Sequence, residues 1–260
     1  MSDAACITHP FIANPLRQVY NGTYDPLRPM EQRVTERDEF LKHLALFAEL
    51  TEAEIAALSK DFAPRHFHQG DMIFLQGDPG QMLYLIESGR VRIYVQDESG
   101  QETSVIFYGT GDIFGELAVI DGLPRSASAV ATEDTVVHTL GRDRLRAHLQ
   151  SSPQLAYNFM KALSVRVRYS TQQVGSLTLL AVPSRVARKL LELAQQYGQV
   201  EADGVRIDMA LTQSDLAGLI GATRESINKA LGHFRREGFI RVDQSHITII
   251  DPDALREISS

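Results

Sequence analysis

Cysteine is almost absent from the 260-residue chain, which contains only Cys6. A single cysteine cannot form an internal disulfide, and it cannot supply a cysteine-rich zinc site or the four thiolates of an iron–sulfur cluster. The eight histidines are scattered and lack the HxxxH and HExxH spacings that place two imidazoles on one metal ion. The sequence therefore predicts no metal cofactor.

Long apolar runs are missing as well. No stretch approaches the roughly 18 residues that a transmembrane helix needs, and the N-terminus shows no basic region followed by an apolar core. We therefore expect a soluble cytoplasmic protein with no membrane partner. The chain also lacks a recognisable constellation of nucleophile, acid and base, so we expect no catalytic residues and no enzymatic activity.

The net charge of −7 argues against a protein that binds nucleic acid over its whole surface, but the charge is unevenly distributed. Between residues 209 and 241, five basic residues outnumber three acids: Arg224, Lys229, Arg235, Arg236 and Arg241 against Asp215, Glu225 and Glu237. The chain is long enough for two domains with separate cores. The sequence thus predicts a locally basic module attached to an acidic domain.

The first segments of the chain differ in their pattern. Residues 1–38 contain four prolines and little periodicity, and we expect an irregular extension there. Apolar residues from Phe40 onward recur at helical spacing, and Thr51 is a natural N-cap for a further short helix. Between residues 64 and 140, glycine turns interrupt short apolar alternations at regular intervals, which is typical of an all-β sandwich or barrel. We expect strands at Met82–Ile86 and Arg90–Val95. We expect tight reversals of the chain at three glycines: Gly70, Gly77 and Gly89.

A long helix is predicted from about Pro153 to Ala181. Its apolar seam repeats at alternating steps of four and three, the heptad spacing that pairs two helices: Leu163, Val167, Ser170, Val174, Leu177 and Ala181. We expect a parallel homodimer through this helix, and the alternative is that the stripe packs on the strands. Pro183 should end or kink the helix, so residues 182–184 form the expected hinge.

Residues 211–243 predict two helices joined by a glycine turn and followed by two short strands. Thr212 and Thr223 are natural N-caps, and Gly221 lies in the turn between the helices. The shared core would contain Leu216, Leu219, Ile220, Ile227 and Leu231. The first turns of the second helix would expose Arg224, Glu225, Asn228 and Lys229. These side chains can bind base edges in a DNA major groove, although a simply solvated helix face carries the same residue types.

The run FGELAVIDGLPRSASAV, residues 114–130, places a carboxylate and a guanidinium nine residues apart around a glycine-bearing turn. Arg125 can offer a planar fork of donors to a phosphate, and Glu116 can accept hydrogen bonds from sugar hydroxyls. Backbone N–H groups near Gly115 and Ser126 would add donors, and small residues after Arg125 let the backbone approach a ligand. The run therefore predicts a cradle for a small anionic nucleotide. The alternative is a surface ion pair between Glu116 and Arg125.

This run resembles the phosphate-binding cassette of cyclic-nucleotide-binding domains. The resemblance lies in the sequence pattern: FGE, followed by L and A, and then PRSA. Such domains occur in the bacterial cyclic-AMP receptor (catabolite activator) family and in the regulatory subunits of protein kinase A. The resemblance implies that Glu116 binds the ribose 2′-hydroxyl and that Arg125 binds the cyclic phosphate. The rest of the implied ligand site consists of further cassette residues: Gly115, Leu117, Ala118, Ser126 and Ala127.

The long helix carries a second resemblance, because residues 166–177, RVRYSTQQVGSL, are similar to the central helix of the cyclic-AMP receptor. In that family, two adjacent hydroxyl residues, one from each subunit, hydrogen-bond the adenine. The resemblance carries them onto Ser170 and Thr171, with Arg166 as a neighbour of the cassette. The family order is Thr then Ser, but both residue types donate and accept hydrogen bonds. The implied allosteric ligand is cyclic AMP (cAMP), and the sequence does not exclude cyclic GMP.

Residues 211–243 resemble the winged helix-turn-helix of the same family. The family's recognition helix carries Arg, Glu and, four residues after the Glu, a second Arg, where this chain has Arg224, Glu225 and Lys229. Lysine keeps the charge but lacks the planar fork. The resemblance implies double-stranded DNA with a pseudo-palindromic site as a partner, with RNA polymerase as a second partner. The half-sites would lie roughly 34 Å apart in the docking geometry for which the catabolite activator is itself a standard example.

Together these patterns predict an α+β protein: an irregular extension (1–38), an antiparallel, jelly-roll-like β-roll that binds the cyclic nucleotide (39–152), a dimerisation helix with its hinge (153–182) and a winged helix-turn-helix (183–260). The expected function is a homodimeric transcription regulator in which cAMP binding repositions the recognition helices. Two alternatives remain. One is a regulator of the same fold that is constitutive or takes another ligand, and the other is a nucleotide-gated enzyme, for which no catalytic domain is visible. The single cysteine excludes the oxygen-sensing branch of the superfamily.

Overall fold

The computed structural model of the protein describes residues 30–259, with side chains from residue 35 onward. The described chain divides into two compact units. The first contains the residues up to Ile93 together with Phe107–Val167, and the second contains Tyr94–Ile106 together with the residues from Arg168 onward. Within the described residues, no helix is long and apolar enough to cross a membrane.

The elements up to residue 151 are mostly short strands. Helical segments come first: α1 (Met30–Lys42), a 3-10 turn (Ala45–Phe47) and α2 (Glu52–Asp61). The strands are β1 (Ala63–Phe67), β2 (Met72–Phe74), β3 (Met82–Ser88), β4 (Val91–Gln96), β5 (Glu102–Tyr108), β6 (Ile113–Phe114), β7 (Ser128–Ala131) and β8 (Thr135–Gly141). Helix α3 (Glu116–Asp121) lies between β6 and β7, and α4 (Arg142–Ser151) follows β8.

From residue 153 onward the chain is mainly helical. The helices are α5 (Pro153–Leu179), α6 (Val182–Tyr197), α7 (Gln213–Ile220), α8 (Arg224–Arg236) and α9 (Pro252–Ile258). The strands of this part are β9 (Gly198–Glu201), β10 (Gly204–Ile207), β11 (Ile240–Asp243) and β12 (His246–Ile249).

The strands β1 to β8 form two sheets, ordered β1-β8-β3-β6 and β2-β7-β4-β5. The strand β8 pairs antiparallel with β1 and β3, β3 with β6, and β2 with β7. An apolar cluster contains side chains from both sheets: Tyr84, Ile86, Val91, Phe114, Ala129 and Val137. Neighbouring strands that are distant in sequence are typical of a jelly roll. The predicted β-roll is therefore confirmed, and β3 and β4 lie within two residues of the strands expected from the sequence.

The beginning of the chain departs from the prediction. Residues 1–29 of the expected irregular extension lie outside the described residues, and residues 30–38 belong to α1. The four prolines all precede α1, so nothing in residues 30–38 interrupts helical hydrogen bonding. Thr51 caps α2 as expected, because its side chain accepts from the Glu54 N–H while the Glu54 carboxylate accepts from the Thr51 N–H.

The long helix α5 is confirmed, but the break after it lies earlier than the sequence predicted. The helix ends at Leu179 and α6 begins at Val182, so the break falls at residues 180–181 rather than 182–184. Pro183 lies in the first turn of α6. A proline there costs no hydrogen bond, since the first N–H groups of a helix have no partner within it. The proline therefore starts the next helix instead of forming the hinge.

Different turns of α5 present different apolar faces. Leu155, Phe159 and Ala162 are buried in the core of the first unit. The seam residues Val167 and Val174, by contrast, are 66% and 61% exposed. The first turns thus pack against their own unit, while the middle of the heptad seam is uncovered in a single chain.

The second unit contains the expected helix-turn-helix. Thr212 caps α7 in a capping box with Asp215, Gly221 ends α7 with a left-handed φ of 63°, and Thr223 caps α8 by accepting from the Ser226 N–H. The residues that were expected to share a core are all buried: Leu216, Leu219, Ile220, Ile227 and Leu231. The two short strands expected after α8 are β11 and β12.

The hairpin of β9 and β10 is absent from the sequence-based prediction. In the part of the chain that the structure describes, this hairpin and the β11–β12 pair form one four-stranded sheet, ordered β11-β12-β10-β9. Strand β9 buries no side chain, and its Val200 is 89% exposed. Because β9 has no alternation of buried and exposed residues, the period-two signal of a strand does not arise there.

Gly89 and Gly70 offer a matched test of turn packing in the β-roll. Both have a left-handed φ, 90° and 91°, but a Cβ at Gly89 would lie 2.5 Å from the Asp134 carbonyl oxygen, whereas nothing lies within 4 Å at Gly70. We expect Gly89→Ala to lower the free energy of unfolding by about 1–3 kcal/mol more than Gly70→Ala. Only the methyl group added at position 89 would force the neighbouring backbone to shift. Thermal unfolding measures this difference, and equal losses would contradict the prediction.

Candidate functional site

The cassette, residues 114–130, folds as the end of β6, helix α3 and the loop that leads to β7. Gly115 precedes α3 in the left-handed conformation, with a φ of 75°. A Cβ at Gly115 would lie 2.6 Å from Arg125 Nη1, and a Cβ at Gly80 would lie 2.3 Å from the Ala118 Cβ. Glycine at both positions therefore allows Arg125 and α3 to pack closely against the neighbouring backbone.

Arg125 is buried, with only 5% of its surface exposed. Its Nη1 donates to the Gly115 carbonyl oxygen at 2.6 Å, and its Nη2 donates to the Met82 carbonyl oxygen at 2.8 Å. The guanidinium also lies 4.2 Å from the centroid of the Phe74 ring. Burial lowers the pKa of Arg125 from its usual value. Among the described residues, the buried Arg125 Nε–H has no hydrogen-bond partner, so an anion placed against it would satisfy an otherwise costly donor.

Glu116 is 3% exposed and forms an ion pair with Arg166, whose Nη1 donates to Glu116 Oε1. The Arg166 Nη2 donates to the Ile113 carbonyl oxygen, and its guanidinium lies 4.9 Å from the centroid of the Tyr108 ring. Burial lowers the pKa of Arg166, but Tyr108 and Glu116 raise it more, so the net shift is upward. The alternative of a surface ion pair between Glu116 and Arg125 is therefore wrong, since both side chains are buried and the carboxylate pairs with Arg166.

Asp112 lies beside this cluster, and its Oδ2 accepts a hydrogen bond from the Gly109 N–H at 2.8 Å. Burial raises the pKa of Asp112 to about 7, although the Gly109 N–H and the Arg166 charge both lower it. The carboxyl group therefore exchanges its proton near neutral pH, unlike an ordinary aspartate. In the sequence, this residue looks like a turn aspartate, and nothing local distinguishes it.

The remaining cassette residues differ in exposure. Ala118 is buried, Leu117 is 45% exposed, Ser126 is exposed and Ala127 is half-buried. The structure also adds neighbours that the sequence analysis missed, because aromatic residues on strands are typical of any β core: Phe74, Tyr84 and Tyr108. Within the part of the chain that the structure describes, no cluster of His, Cys, Asp or Glu side chains could hold a metal ion.

Ser170 and Thr171 are exposed on α5, in the second unit. The hydroxyl of the preceding residue, Tyr169, accepts a hydrogen bond from Lys189 Nζ at 2.9 Å. Lys189 is 5% exposed, and its Nζ also lies 2.5 Å from Glu192 Oε2. Burial lowers the pKa of Lys189, but Tyr169 and Glu192 raise it more, so the net shift is upward. Sequence reasoning missed this buried lysine because its partner on α5 lies 20 residues earlier.

The residues expected to contact DNA are all exposed. They are the N-caps and the side chains of the first turns of α8: Thr212, Thr223, Arg224, Glu225, Asn228 and Lys229. A helix that exposes such side chains in its N-terminal turns can enter a major groove and reach base edges.

The basic surplus between residues 209 and 241 is smaller than the sequence count indicates. Arg241 Nε donates to Asp243 at 2.8 Å, and the Arg241 guanidinium also binds Asp203 and Glu201. All three acids lie outside the counted segment: Asp243 on β11, Glu201 on β9 and Asp203 in the β9–β10 turn. Carboxylates of the same unit therefore neutralise Arg241.

Two family descriptions match the chain. Residues 64–152 match the cyclic nucleotide-binding domain, and residues 184–258 match the Crp-like helix-turn-helix domain. The β-roll with its cassette and the helix-turn-helix thus define a class of transcription regulators that combine a nucleotide-binding domain with a DNA-binding domain.

Similar proteins narrow this class. The chain is 36% identical over 218 residues to the CRP-like cAMP-activated global transcriptional regulator of Mycobacterium tuberculosis, covering 84% of this chain and 97% of that protein. It is 33% identical over 219 residues to the cyclic AMP receptor protein of Thermus thermophilus, covering 84% and 98%. Among solved structures, a transcriptional regulator of the CRP/FNR family, also from Thermus thermophilus, matches with a TM-score of 0.65 and 28% identity, covering 76% of this chain and 98% of the other. The chain belongs to the CRP family of transcription regulators.

Asp112→Asn should stabilise the protein in a pH-dependent manner. The pKa of Asp112 is raised from 3.8 to about 7, so the folded state binds a proton that the unfolded state has released between these values. The wild type therefore loses stability as pH rises from about 4 to about 7, and asparagine, which mimics the protonated carboxyl group, avoids that loss.

Thermal unfolding of the wild type and the variant between pH 5 and 8 tests this expectation. The advantage of Asp112→Asn should grow with pH. Asp121→Asn is the matched control, because that carboxylate also accepts a backbone N–H, from Leu123, but at an exposed position. If the gain in stability of Asp112→Asn over the wild type is constant with pH, or if Asp121→Asn shows the same gain, burial of Asp112 is not its cause.

Proposed function

We propose that this chain is a homodimeric transcription regulator that binds cAMP in its β-roll and, in response, changes its affinity for a pseudo-palindromic DNA site. The observation that carries the proposal is the geometry of Arg125. A buried guanidinium with an unmet Nε–H, held in place by two carbonyl oxygens, is a fixed cationic donor for the phosphate of a small nucleotide.

The other groups of the cassette suit the ribose and the phosphate. Glu116 is oriented by Arg166 and retains carboxylate lone pairs that can accept from the ribose 2′-hydroxyl. The Ser126 hydroxyl is exposed beside Arg125 and can donate to a phosphate oxygen. Ser170 and Thr171 supply hydroxyls for the adenine, one from each subunit of the dimer. The proposed ligand site further includes Gly115, Leu117, Ala118 and Ala127, which allow a close approach of the backbone.

The exposed seam of α5 supports the homodimer. Val167, Val174 and Leu177 are 66%, 61% and 47% exposed in a single chain, and they recur at heptad steps. Pairing two such helices would remove this apolar surface from water. The dimer would also present two copies of α8, as a two-fold symmetric DNA site requires.

The helix-turn-helix supplies the DNA-binding surface. We assign Arg224 to a guanine, Glu225 to a cytosine and Lys229 to a guanine or a phosphate, with Asn228, Thr212 and Thr223 at the edge of the same surface. RNA polymerase is the proposed second partner, and the cytoplasm, where bacterial DNA lies, is the proposed location. The proposed domains keep the boundaries 39–152, 153–182 and 183–260, and the break in helical structure at residues 180–181 is the proposed hinge.

Isothermal titration calorimetry with cAMP tests the nucleotide site. Arg125→Lys keeps the charge but removes the planar fork, so we expect it to weaken cAMP binding by about tenfold or more, since a charge-assisted hydrogen bond contributes about 1.5–3 kcal/mol. Arg144→Lys is the matched control, because Arg144 is 71% exposed on α4 of the same unit and should leave binding unchanged.

Competition with cyclic GMP and cyclic di-GMP in the same experiment shows which of the three nucleotides the protein binds most tightly. Absence of heat with every cyclic nucleotide would overturn the sensor, and a stronger response to one of the other nucleotides would replace cAMP as its ligand. The constitutive alternative predicts that DNA affinity in a gel shift is the same with and without nucleotide.

Selection from random DNA, followed by binding to the recovered palindrome, tests the recognition helix. We expect Arg224→Ala to weaken binding by about 1–3 kcal/mol and to relax the base preference at one position of each half-site. Arg236→Ala is the matched control, because Arg236 is exposed in the last turn of the same helix. A uniform loss of affinity with unchanged base preference would assign Arg224 to a phosphate instead.

A further inference from the structure

The second unit contains a hairpin segment that carries only negative charge. Tyr94–Ile106, the outer part of the β4–β5 hairpin, groups with the helix-turn-helix and is called here the acidic hairpin. It contains Asp97, Glu98 and Glu102 but no Lys, Arg or His, and the three acids are exposed. The Ser99 hydroxyl and nearby backbone N–H groups donate to Asp97, which lowers its pKa and keeps it ionised.

The acidic hairpin is hydrogen-bonded to the first helix of the helix-turn-helix. Ser104 is 2% exposed, and its hydroxyl donates to Asp215 Oδ1 at 2.9 Å. The other oxygen of the same carboxylate, Oδ2, accepts from the Thr212 hydroxyl at 2.6 Å and from the Thr212 N–H at 3.1 Å. A single carboxylate therefore joins the hairpin to the N-cap residue that we assign to the DNA-binding surface.

A glycine inside α7 provides independent evidence of close docking. A Cβ at Gly218 would lie 2.5 Å from the Ser104 backbone nitrogen and 3.0 Å from the Ser104 carbonyl oxygen. Glycine in a helix interior is unfavourable compared with alanine. Here it allows the backbone of the hairpin to approach the helix one turn after Asp215, on the same side.

The position of this contact matters for nucleic acid. In a helix-turn-helix, the first helix crosses the DNA backbone while the second enters the major groove. The hairpin contacts α7 at Asp215 and Gly218 through Ser104, and it carries three exposed carboxylates, whereas the helix it contacts would otherwise meet phosphates. We propose that the acidic hairpin is an autoinhibitory element: docked on α7, it repels the DNA backbone, and the regulator binds DNA tightly only when the hairpin is released. This inference rests on the proposed DNA-binding function.

Gly218→Ala tests the docking directly. The new methyl group would collide with the Ser104 backbone while favouring the helix itself, so the hairpin should be displaced without loss of folding. Gly232→Ala is the matched control, because it is the same substitution in a helix where nothing lies within 4 Å of the added Cβ. Ser104→Ala, which removes only the hydroxyl, is a second variant with the same expected direction.

Two measurements read the result without any cyclic nucleotide. Hydrogen exchange of the amides between residues 97 and 104 should accelerate in Gly218→Ala but not in Gly232→Ala. Fluorescence anisotropy with a short duplex of random sequence should show DNA binding that is about five- to tenfold tighter for Gly218→Ala, in the range of typical allosteric couplings.

The charges are tested separately by the triple variant D97N/E98Q/E102Q. It should tighten binding to the same duplex more than E49Q/E52Q/D143N, which neutralises three exposed acids of the first unit. Equal gains from the two triple variants, unchanged exchange in Gly218→Ala, or DNA binding that weakens when the hairpin is displaced would each overturn the autoinhibitory role. Failure of the proposed function would look different, because the wild type would then bind neither cAMP nor a selected DNA site.

Discussion

The packing of the cassette depends on the interactions of the buried guanidinium of Arg125. A cation at 5% exposure needs compensation, and two backbone carbonyl oxygens, one on β3 and one in the turn before α3, provide it. This arrangement requires glycine at positions 80 and 115, since a Cβ at either would approach the arginine to 3.0 Å or less. Hydrogen bonds and close backbone packing within the chain therefore fix the conformation of Arg125 in the cassette.

Helix α5 connects this arrangement to the rest of the chain. Arg166, on the part of α5 that belongs to the first unit, holds the carboxylate of Glu116. Tyr169, three residues later, accepts a hydrogen bond from the buried Lys189 of α6 in the second unit. The exposed hydroxyls of Ser170 and Thr171 immediately follow. A change in the position or pairing of this helix would therefore act on both contacts, which is a physical basis for allosteric coupling in the proposed regulator.

Charge arrangement, rather than net charge, decides what the DNA-binding unit can do. The exposed end of α8 remains polar and basic, but Arg241 is already paired with carboxylates of its own sheet. The acidic hairpin, which contacts α7 through Ser104, adds three exposed carboxylates to the same unit. Both effects reduce the positive potential that the residue count suggests, so DNA binding relies on a small number of correctly placed side chains.

Local features of the sequence were sufficient for much of the fold. Threonine N-caps, glycine turns and heptad spacing act within a few residues of one another, so Thr51, Thr212, Thr223, Gly221 and the length of α5 were predictable. The cassette was recognisable because its residue types lie within one short run. Pro183 misled the prediction because proline both stops and starts helices, and the sequence alone does not distinguish these roles.

The tertiary structure decided which distant groups meet. The pairings of Lys189 with Tyr169 and of Ser104 with Asp215 join residues that are 20 and 111 positions apart. The family resemblance placed Arg166 near the cassette, but its ion pair with Glu116, 50 positions away, was found only in the structure. No periodicity encodes such contacts, because they depend on how separately folded elements pack together. Burial likewise raises the pKa of Asp112 to about 7, because desolvation outweighs the opposing effects of the nearby Gly109 N–H and of the distant Arg166. The sequence by itself thus determined most of the elements, though not the β9–β10 hairpin or the helix over residues 30–38, and the residue types of the site. Packing determined which charges are buried, paired or exposed.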